Sequence, residues 1–386
     1  MYLHLFWIIA LGAVALLWIY GAIDAARGVL ALASLGDAAP LSDADCPNIS
    51  VLFAARDEAD KLPAALKTFL AVDYPRFEVV AVNDRSEDAT GEILEHAAQE
   101  NPHMKVVRVR ELPAGWLGKP HALQKAYEQS SGEWLIFTDA DVQFAPSLLR
   151  SAISLAEKKG WDHLTLSGRT EMFTFGEKIA LTFFALAFLM SVRPWRVSDP
   201  RSRAFAGVGM FQLIRRSAYE KIGTHRRLAM EVVDDMKLGK LAKQAGFRSA
   251  MARAGDDVSV HWHSGLGNIV KGTTKNFFAF AEFSLFVASI QIFGILMMCV
   301  VPWVALPFVH GWALLFAGIA VGLAIILHAG ACIEFRISPA YALTVPIGAL
   351  IFAWMLARSM IVTLWTGGVT WRGTFYPLKE LKRGVV

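Results

Sequence analysis

Residues 134–141 read WLIFTDAD: four apolar residues, then Thr138, then two aspartates flanking Ala140. A short, wholly apolar run closed by turn-forming polar residues is the pattern of a strand buried on both faces. The short, β-branched-rich runs 48–54, 77–82 and 105–109, each interrupted by one or two polar residues, read as strands of the same kind, and the stretches 58–70, 90–99 and 120–129 between them carry helical patterns. This β-α-β rhythm predicts an α/β domain with a mostly parallel sheet and helices on both faces. Open sheets of that kind bind ligands outside the carboxyl ends of their strands. The residues that follow each run are therefore the first candidates for chemistry.

Acids stand at three of those positions. Arg56, Asp57 and Glu58 follow the first run, Asn83, Asp84, Arg85, Ser86 and Asp88 the second, and Asp139 and Asp141 the fourth. Paired carboxylates suit a hard divalent cation, Mg2+ or Mn2+, which prefers oxygen ligands and keeps waters while gripping phosphates. An isolated Asp-x-Asp is also ordinary turn chemistry; Asp84 on a neighbouring strand end is what begins to define a site.

The rest of the chain is far more apolar. Hydrophobic residues make up 55% of 386 positions and charged ones 19%, too apolar for a wholly water-exposed protein of this size. Residues 3–23 are uncharged and long enough for one crossing of a bilayer. Stretches 283–307, 311–331 and 340–366 allow three more. With a cytosolic domain after the first crossing, three later ones would strand the basic tail, with Arg372, Lys379, Lys382 and Arg383, outside, against the positive-inside rule. One stretch is then re-entrant or interfacial, and Arg358 makes the last the first candidate. Residues 179–190 are apolar all round but short for a span; they read as an interfacial helix that guides a lipid or as a buried core helix. Trp371, Arg372 and Tyr376 read as an interfacial belt. The net charge of +4 gives no field that points to nucleic acid. Cys46, Cys299 and Cys332, odd in number and far apart, predict neither disulfide nor zinc site and fit a reducing compartment.

Five segments, in order, resemble motifs of the family 2 glycosyltransferases: VLFAARDE (51–58), VVAVNDRSEDAT (79–90), the pair Gly118–Lys119, FTDAD (137–141) and VDDMKLGKLAKQAG (233–246). The segment 206–223 is similar to that family's glycine-rich acceptor loop and the helix after it. The resemblance implies a GT-A fold, flanked here by transmembrane helices, and a nucleotide-sugar donor. It places nucleotide-sugar contacts at Ala55, Arg56, Glu58, Asp84, Lys119 and Asp139, a Mg2+ or Mn2+ ion at Asp141, and the catalytic base at Asp235 with Asp234 beside it. It also implies direct displacement with inversion. His261 and His263 flank Trp262 as alternate residues of a strand would, so His263 reads either as a further ligand for the metal or diphosphate or as one of a half-buried structural pair. Ala54, Asp57, Asn83 and Asp234 depart from the family's usual residues. In place of the Gln-x-x-Arg-Trp signature of processive synthases stands HWHSGLGNIVKGTTKN (261–276), which favours transfer of one or a few sugars.

The expected organisation is an N-terminal transmembrane helix (1–27), a linker (28–46), the GT-A domain (47–275), C-terminal transmembrane helices (276–366) and a basic tail (367–386). The expected protein is a multi-pass inner-membrane enzyme with a cytoplasmic catalytic domain, whose partners are a nucleotide sugar, a lipid or lipid-linked acceptor and membrane lipids. A processive polysaccharide synthase and a non-catalytic nucleotide-sugar-binding membrane protein remain the alternatives.

Overall fold

The four apolar runs lie side by side in one sheet. A computed structural model describes residues 2–386 and separates them into two units. One comprises residues 32–171, 194–262 and 370–386; the other, helical, comprises 2–31, 172–193 and 263–369.

The first unit is built on eight strands: β1 (Ile49–Ala55), β2 (Phe77–Asp84), β3 (Met104–Val109), β4 (Trp134–Asp139), β5 (Val142–Phe144), β6 (His163–Thr170), β7 (Gln212–Arg215) and β8 (Ser249–Val260). Their order is β3-β2-β1-β4-β7-β6-β8-β5. β3, β2, β1 and β4 are parallel, β7 runs against β4 and β6, and β5 runs against β8. Side chains alternate between two cores with the strand period of two. Val51, Phe53, Val79, Ala81 and Ile136 pack on one face with the helices Leu62–Leu70 and Leu148–Lys159. Leu52, Val80, Val82, Leu135 and Phe137 pack on the other with Gly118–Glu128 and Asp234–Gln244. Chain order reverses between β1 and β4, so the switch point where such sheets bind ligands lies at Ala55, Asp84 and Asp139.

Two boundaries differ from the sequence reading for physical reasons. The first helix of the sheet unit begins at Leu62, not 58, because Asp57 turns the backbone at φ 52° and Pro63 occupies the first helical turn. The segment 32–46 is no loose tether: Leu35, Ala38 and Cys46 are buried, Arg150 donates to Leu41 O at 2.7 Å, and Lys158 donates to Asp37 O at 2.6 Å.

In the helical unit, four helices are long and apolar enough to cross a membrane: Tyr2–Ala31, Phe175–Arg196, Trp312–Glu334 and Pro339–Thr366. The stretch read as 179–190 extends to Phe175–Val192. Thr174 and Glu177 form a capping box at its start, and the Glu177 carboxylate also accepts from Phe173 N at 2.7 Å and Gly265 N at 2.6 Å. The stretch 283–307 breaks into Leu285–Cys299 and Val301–Ala305, with Pro302 in the first turn of the second piece. Phe286, Trp312 and Trp365 are 73, 65 and 89% exposed, apolar surface that water disfavours and lipid accepts. All three cysteines are free thiols.

Candidate active site

The register fixes the rim. Ala54 pairs with Asp139 on one side of β1, and Ala55 pairs with Asn83 on the other. The loops after β1 and β2 interlock: Ser86 Oγ accepts from Asp57 N at 3.2 Å, Asp57 Oδ1 accepts from Glu87 N at 2.8 Å, and Thr90 Oγ1 accepts from Glu58 N at 2.8 Å. Asp57 and Arg85, with φ of 52° and 58°, both occupy the left-handed region, uncommon for residues other than glycine.

Asp84 is buried and receives a two-pronged contact from its neighbour, Arg85 Nε to Oδ1 at 2.8 Å and Nη2 to Oδ2 at 2.9 Å. Gly118, the first residue of its helix, passes so close that a Cβ there would stand 2.6 Å from Asp84 Oδ2. The next residue, Lys119, places Nζ 2.6 Å from Asp139 Oδ1 and 4.0 Å from Asp234 Oδ1. Gly209 is wedged between the remaining acids. Its N–H donates to Asp235 Oδ2 at 2.9 Å, its carbonyl accepts from Asp139 N at 3.0 Å, and a Cβ would meet Asp139 Oδ2 at 2.5 Å. Asp84, Lys119, Asp139, Asp234 and Asp235 thus form one contiguous set.

The electrostatics follow from crowding like charges in a confined place. Burial, then the adjacent Asp234 carboxylate, raises the Asp235 pKa to about 6. Burial also raises Asp139, against the pull of Lys119. For Lys119 burial opposes the charge, but Asp139, Asp234 and Asp235 outweigh it, so its pKa is raised and the ammonium stays protonated. Behind Asp234, His225 Nε2 lies 3.8 Å from Oδ2. Tyr219 Oη accepts from His225 N at 2.9 Å and contacts Nδ1 at 2.7 Å, an arrangement that directs a protonated Nε2 at Asp234.

Asp141 meets a residue not singled out from the sequence. Lys61 Nζ donates to Asp141 Oδ2 at 2.9 Å, and to the carbonyls of His261 and Trp262 at 3.0 and 3.2 Å. Glu58 is drawn into the same field; burial raises its pKa, against Arg372, and Asp141 adds to the rise. Arg56 has a buried Nε without a hydrogen-bond partner, a donor that calls for an acceptor from a ligand. Ala55, wholly buried, ends β1 beneath it. Strand β8 stops at Val260, so His261 and His263 are not alternate residues of a strand. His263 belongs to the helical unit, where its ring packs on Gly272. Lys61 carries no sequence signal because its partner Asp141 lies 80 positions along the chain, and His225 carries none because its place depends on how the helices bearing Tyr219 and Asp234 pack.

Among the described residues no group of three His, Cys, Asp or Glu is assembled as a metal cage. The donor set nevertheless fits Mg2+ or Mn2+, which bind through one or two carboxylates together with water and substrate phosphates. Asp139 and Asp141 each engage a lysine through one oxygen and retain a second.

The sheet order, the switch point and helices on both faces define a GT-A fold. Residues 50–223 match Glycosyl transferase family 2, and this part of the chain is a glycosyltransferase domain of that family. A beta-monoglucosyldiacylglycerol synthase from Synechocystis sp. is 31% identical over 152 residues, 35% of this chain and 31% of that protein. An undecaprenyl-phosphate 4-deoxy-4-formamido-L-arabinose transferase from Pseudomonas savastanoi pv. phaseolicola is 33% identical over 119 residues, 30% of this chain and 34% of that one. The chain thus spans about a third of the length of these relatives. Among solved structures, the mannosyltransferase PcManGT from Pyrobaculum calidifontis, in complex with GDP-Man and Mn2+, aligns over 93% of this chain and 98% of its own with a TM-score of 0.56 and 19% identity.

Proposed function

We propose that the protein is a metal-dependent, inverting glycosyltransferase that moves a sugar from a nucleoside-diphosphate donor to a membrane lipid or lipid-linked acceptor. The observation that carries this reading is the contiguous set Asp84–Lys119–Asp139–Asp235 on the sheet's carboxyl rim. The names of the two relatives, one a glucosyldiacylglycerol synthase and one an undecaprenyl-phosphate sugar transferase, support a lipid acceptor. The complex of PcManGT with GDP-Man and Mn2+ supports a sugar nucleotide and a divalent ion.

Asp84 receives the nucleoside, and the Arg56 Nε–H supplies a further donor. Lys119, locked in its charged form, places a positive charge where the donor's diphosphate develops negative charge as the sugar leaves. Asp139 and Asp141 would hold Mg2+ or Mn2+, which supplies Lewis-acid neutralisation of the leaving group. Asp235 takes the acceptor hydroxyl's proton. Its raised pKa makes it a better base than an exposed aspartate while leaving it mostly ionised at pH 7. With Asp235 as base and no second nucleophile assigned, displacement inverts the anomeric carbon.

The membrane arrangement follows from connectivity. A polar unit stays in water on one side of a bilayer, so every point where the chain passes into it, at 31/32, 171/172, 193/194, 262/263 and 369/370, lies on that side. Helix Phe175–Val192 begins and ends there and therefore lies along the interface. Residues 263–369 also begin and end there, so they cross an even number of times. The His4 and His310 rings stack at 5.6 Å, and Leu11, Ala305, Ala313 and Ala317 share one core, which sets the 305–313 turn beside the first half of helix Tyr2–Ala31, away from Ala31. Leu285–Ala305 and Trp312–Glu334 are then the two crossings. Helix Val345–Thr366 enters and leaves on one side: Gly348 packs on Phe183 of the interfacial helix, and Ser359 Oγ donates to Thr274 O at 2.5 Å. Three crossings in all leave the basic tail and the catalytic unit on the cytoplasmic side of the inner membrane.

The test is a screen of labelled sugar nucleotides against a total membrane lipid extract, with Mn2+ or Mg2+ and with chelator, read by mass analysis of the lipid product. A glycolipid formed only with metal is expected; full activity in chelator ends the metal role, and no transfer from any donor ends the reading.

A further inference from the structure

A hairpin from the tail lies on the rim just described. Strands β9 (Gly368–Trp371) and β10 (Thr374–Pro377) are joined at Arg372–Gly373, with φ of 47° and 76°. Left-handed backbone at both central positions is the signature of a type I′ turn, which favours Asn, Asp or Gly. An arginine there is costly, and strain of this kind gathers where a side chain is needed in one place.

The contacts say where. Arg372 Nη2 donates to Glu58 Oε1, and Nη1 reaches Asp57 O at 3.5 Å. Tyr376 is buried, its hydroxyl accepts from Gly118 N at 3.3 Å, and it lies beside Arg85. The hairpin therefore touches the loop after β1, the loop after β2 and the helix start that carries Lys119. All three belong to the candidate donor site. Tyr376 is buried against Gly118, so of the three tail residues read as an interfacial belt it is packed into protein.

We infer that this hairpin is part of the donor site: Arg372 is a contact to the diphosphate of the bound sugar nucleotide, and Tyr376 is the positioning residue that anchors the hairpin presenting it. The inference rests on the nucleotide-sugar reading above. Its chemistry is simple. Glu58 Oε1 is the acceptor that a diphosphate oxygen would replace on the Arg372 guanidinium. A diphosphate brings several anionic oxygens in the forked geometry that guanidinium matches best. The Arg372 side chain is 43% exposed, enough to leave Glu58 for such a ligand.

The experiment measures binding of UDP, GDP, UMP and GMP, each with MnCl2, to the full chain in detergent. Arg372→Asn is the variant of choice, because asparagine tolerates the left-handed turn while removing the guanidinium. Whichever diphosphate binds the wild type should bind Arg372→Asn about ten- to a hundredfold more weakly, with the matching monophosphate unchanged. Tyr376→Phe should weaken the diphosphate in the same selective way and speed hydrogen exchange in residues 368–377. In the wild type, the diphosphate should slow that exchange. Equal loss of mono- and diphosphate, or loss of neither, overturns the inference while the nucleotide-sugar reading stands. A wild type that binds none of the four nucleotides overturns that reading, and the inference with it.

Discussion

Lys119 Nζ stands 2.6 Å from Asp139 Oδ1, a half-buried cation that keeps the carboxylates of Asp139, Asp234 and Asp235 together. Removing it leaves three acids without their counter-charge and the donor's diphosphate without a partner. Lys119→Met should lower kcat/KM by roughly 10² to 10³. Lys125→Met, on the same helix but paired at the surface with Glu128, serves as the folding and helix control and should be silent. Steady-state kinetics on both variants decide it; comparable rates for Lys119→Met and wild type would remove Lys119 from the chemistry.

Asp235 carries the pH dependence. A base must be ionised to accept a proton, and burial beside Asp234 raises this carboxyl to about 6. Activity is therefore expected to rise with pH through about 6 and to level off above it. Asp235→Asn should cut kcat by about 10² to 10⁴ with donor binding largely kept. A kcat profile flat between pH 5 and pH 7 argues against Asp235 as the base.

What the sequence made legible follows from how local each signal is. β1, β2 and β4 announced themselves as apolar runs because both faces of a central parallel strand are buried, while β3, at the sheet's edge, showed only its valines between the exposed Lys105 and Arg108. The antiparallel half did not. β7 is the four residues QLIR, and β8 carries Gly255, Asp256 and Asp257 in its middle, so their strand character comes from pairing with β6. The acids at the strand ends were legible because turn position and charge coincide. Lys61 was not, since it matters only through Asp141, 80 positions away, and His225 was not, since its nearer partners Tyr219 and Asp234 meet it only once two helices pack; Gly209 was visible only as part of the segment 206–223, without its contacts to Asp139 and Asp235. The contacts of the tail were hidden in a similar way. Its Trp, Arg and Tyr suit a membrane interface by composition, and only tertiary structure puts Arg372 on Glu58 and Tyr376 on Gly118.

Glu78 makes a prediction about stability, at the opposite end of the sheet from the site. Ser50 Oγ, Ser131 N and Ser131 Oγ donate to its Oε1 at 2.7, 2.5 and 2.9 Å, and Lys105 donates to Oε2 at 2.6 Å. Burial opposes the charge, but these donors outweigh it and lower the pKa to about 2. A depressed carboxyl stabilises the fold fully above its unfolded value of about 4.5, and the contribution is lost as pH falls from there toward 2. Glu78→Gln should cost about 1 to 3 kcal/mol at pH 7, seen as a lower Tm, with the gap to wild type narrowing below pH 4.5. A gap that widens on acidification contradicts the assignment.

The membrane arrangement is checked by labelling single cysteines from outside intact cells. If Leu285–Ala305 and Trp312–Glu334 cross and Val345–Thr366 does not, the loop at His310 lies on the opposite face of the bilayer from Ser338 and Thr366. The native thiols at 46, 299 and 332 are all buried, so background labelling is low. His310→Cys should react with an impermeant maleimide in intact cells, and Ser338→Cys and Thr366→Cys only after permeabilisation. Labelling of Thr366→Cys from outside would make the last helix a true crossing. It would also separate the tail from the cytoplasm, and with it the contacts that Arg372 and Tyr376 make to Glu58 and Gly118.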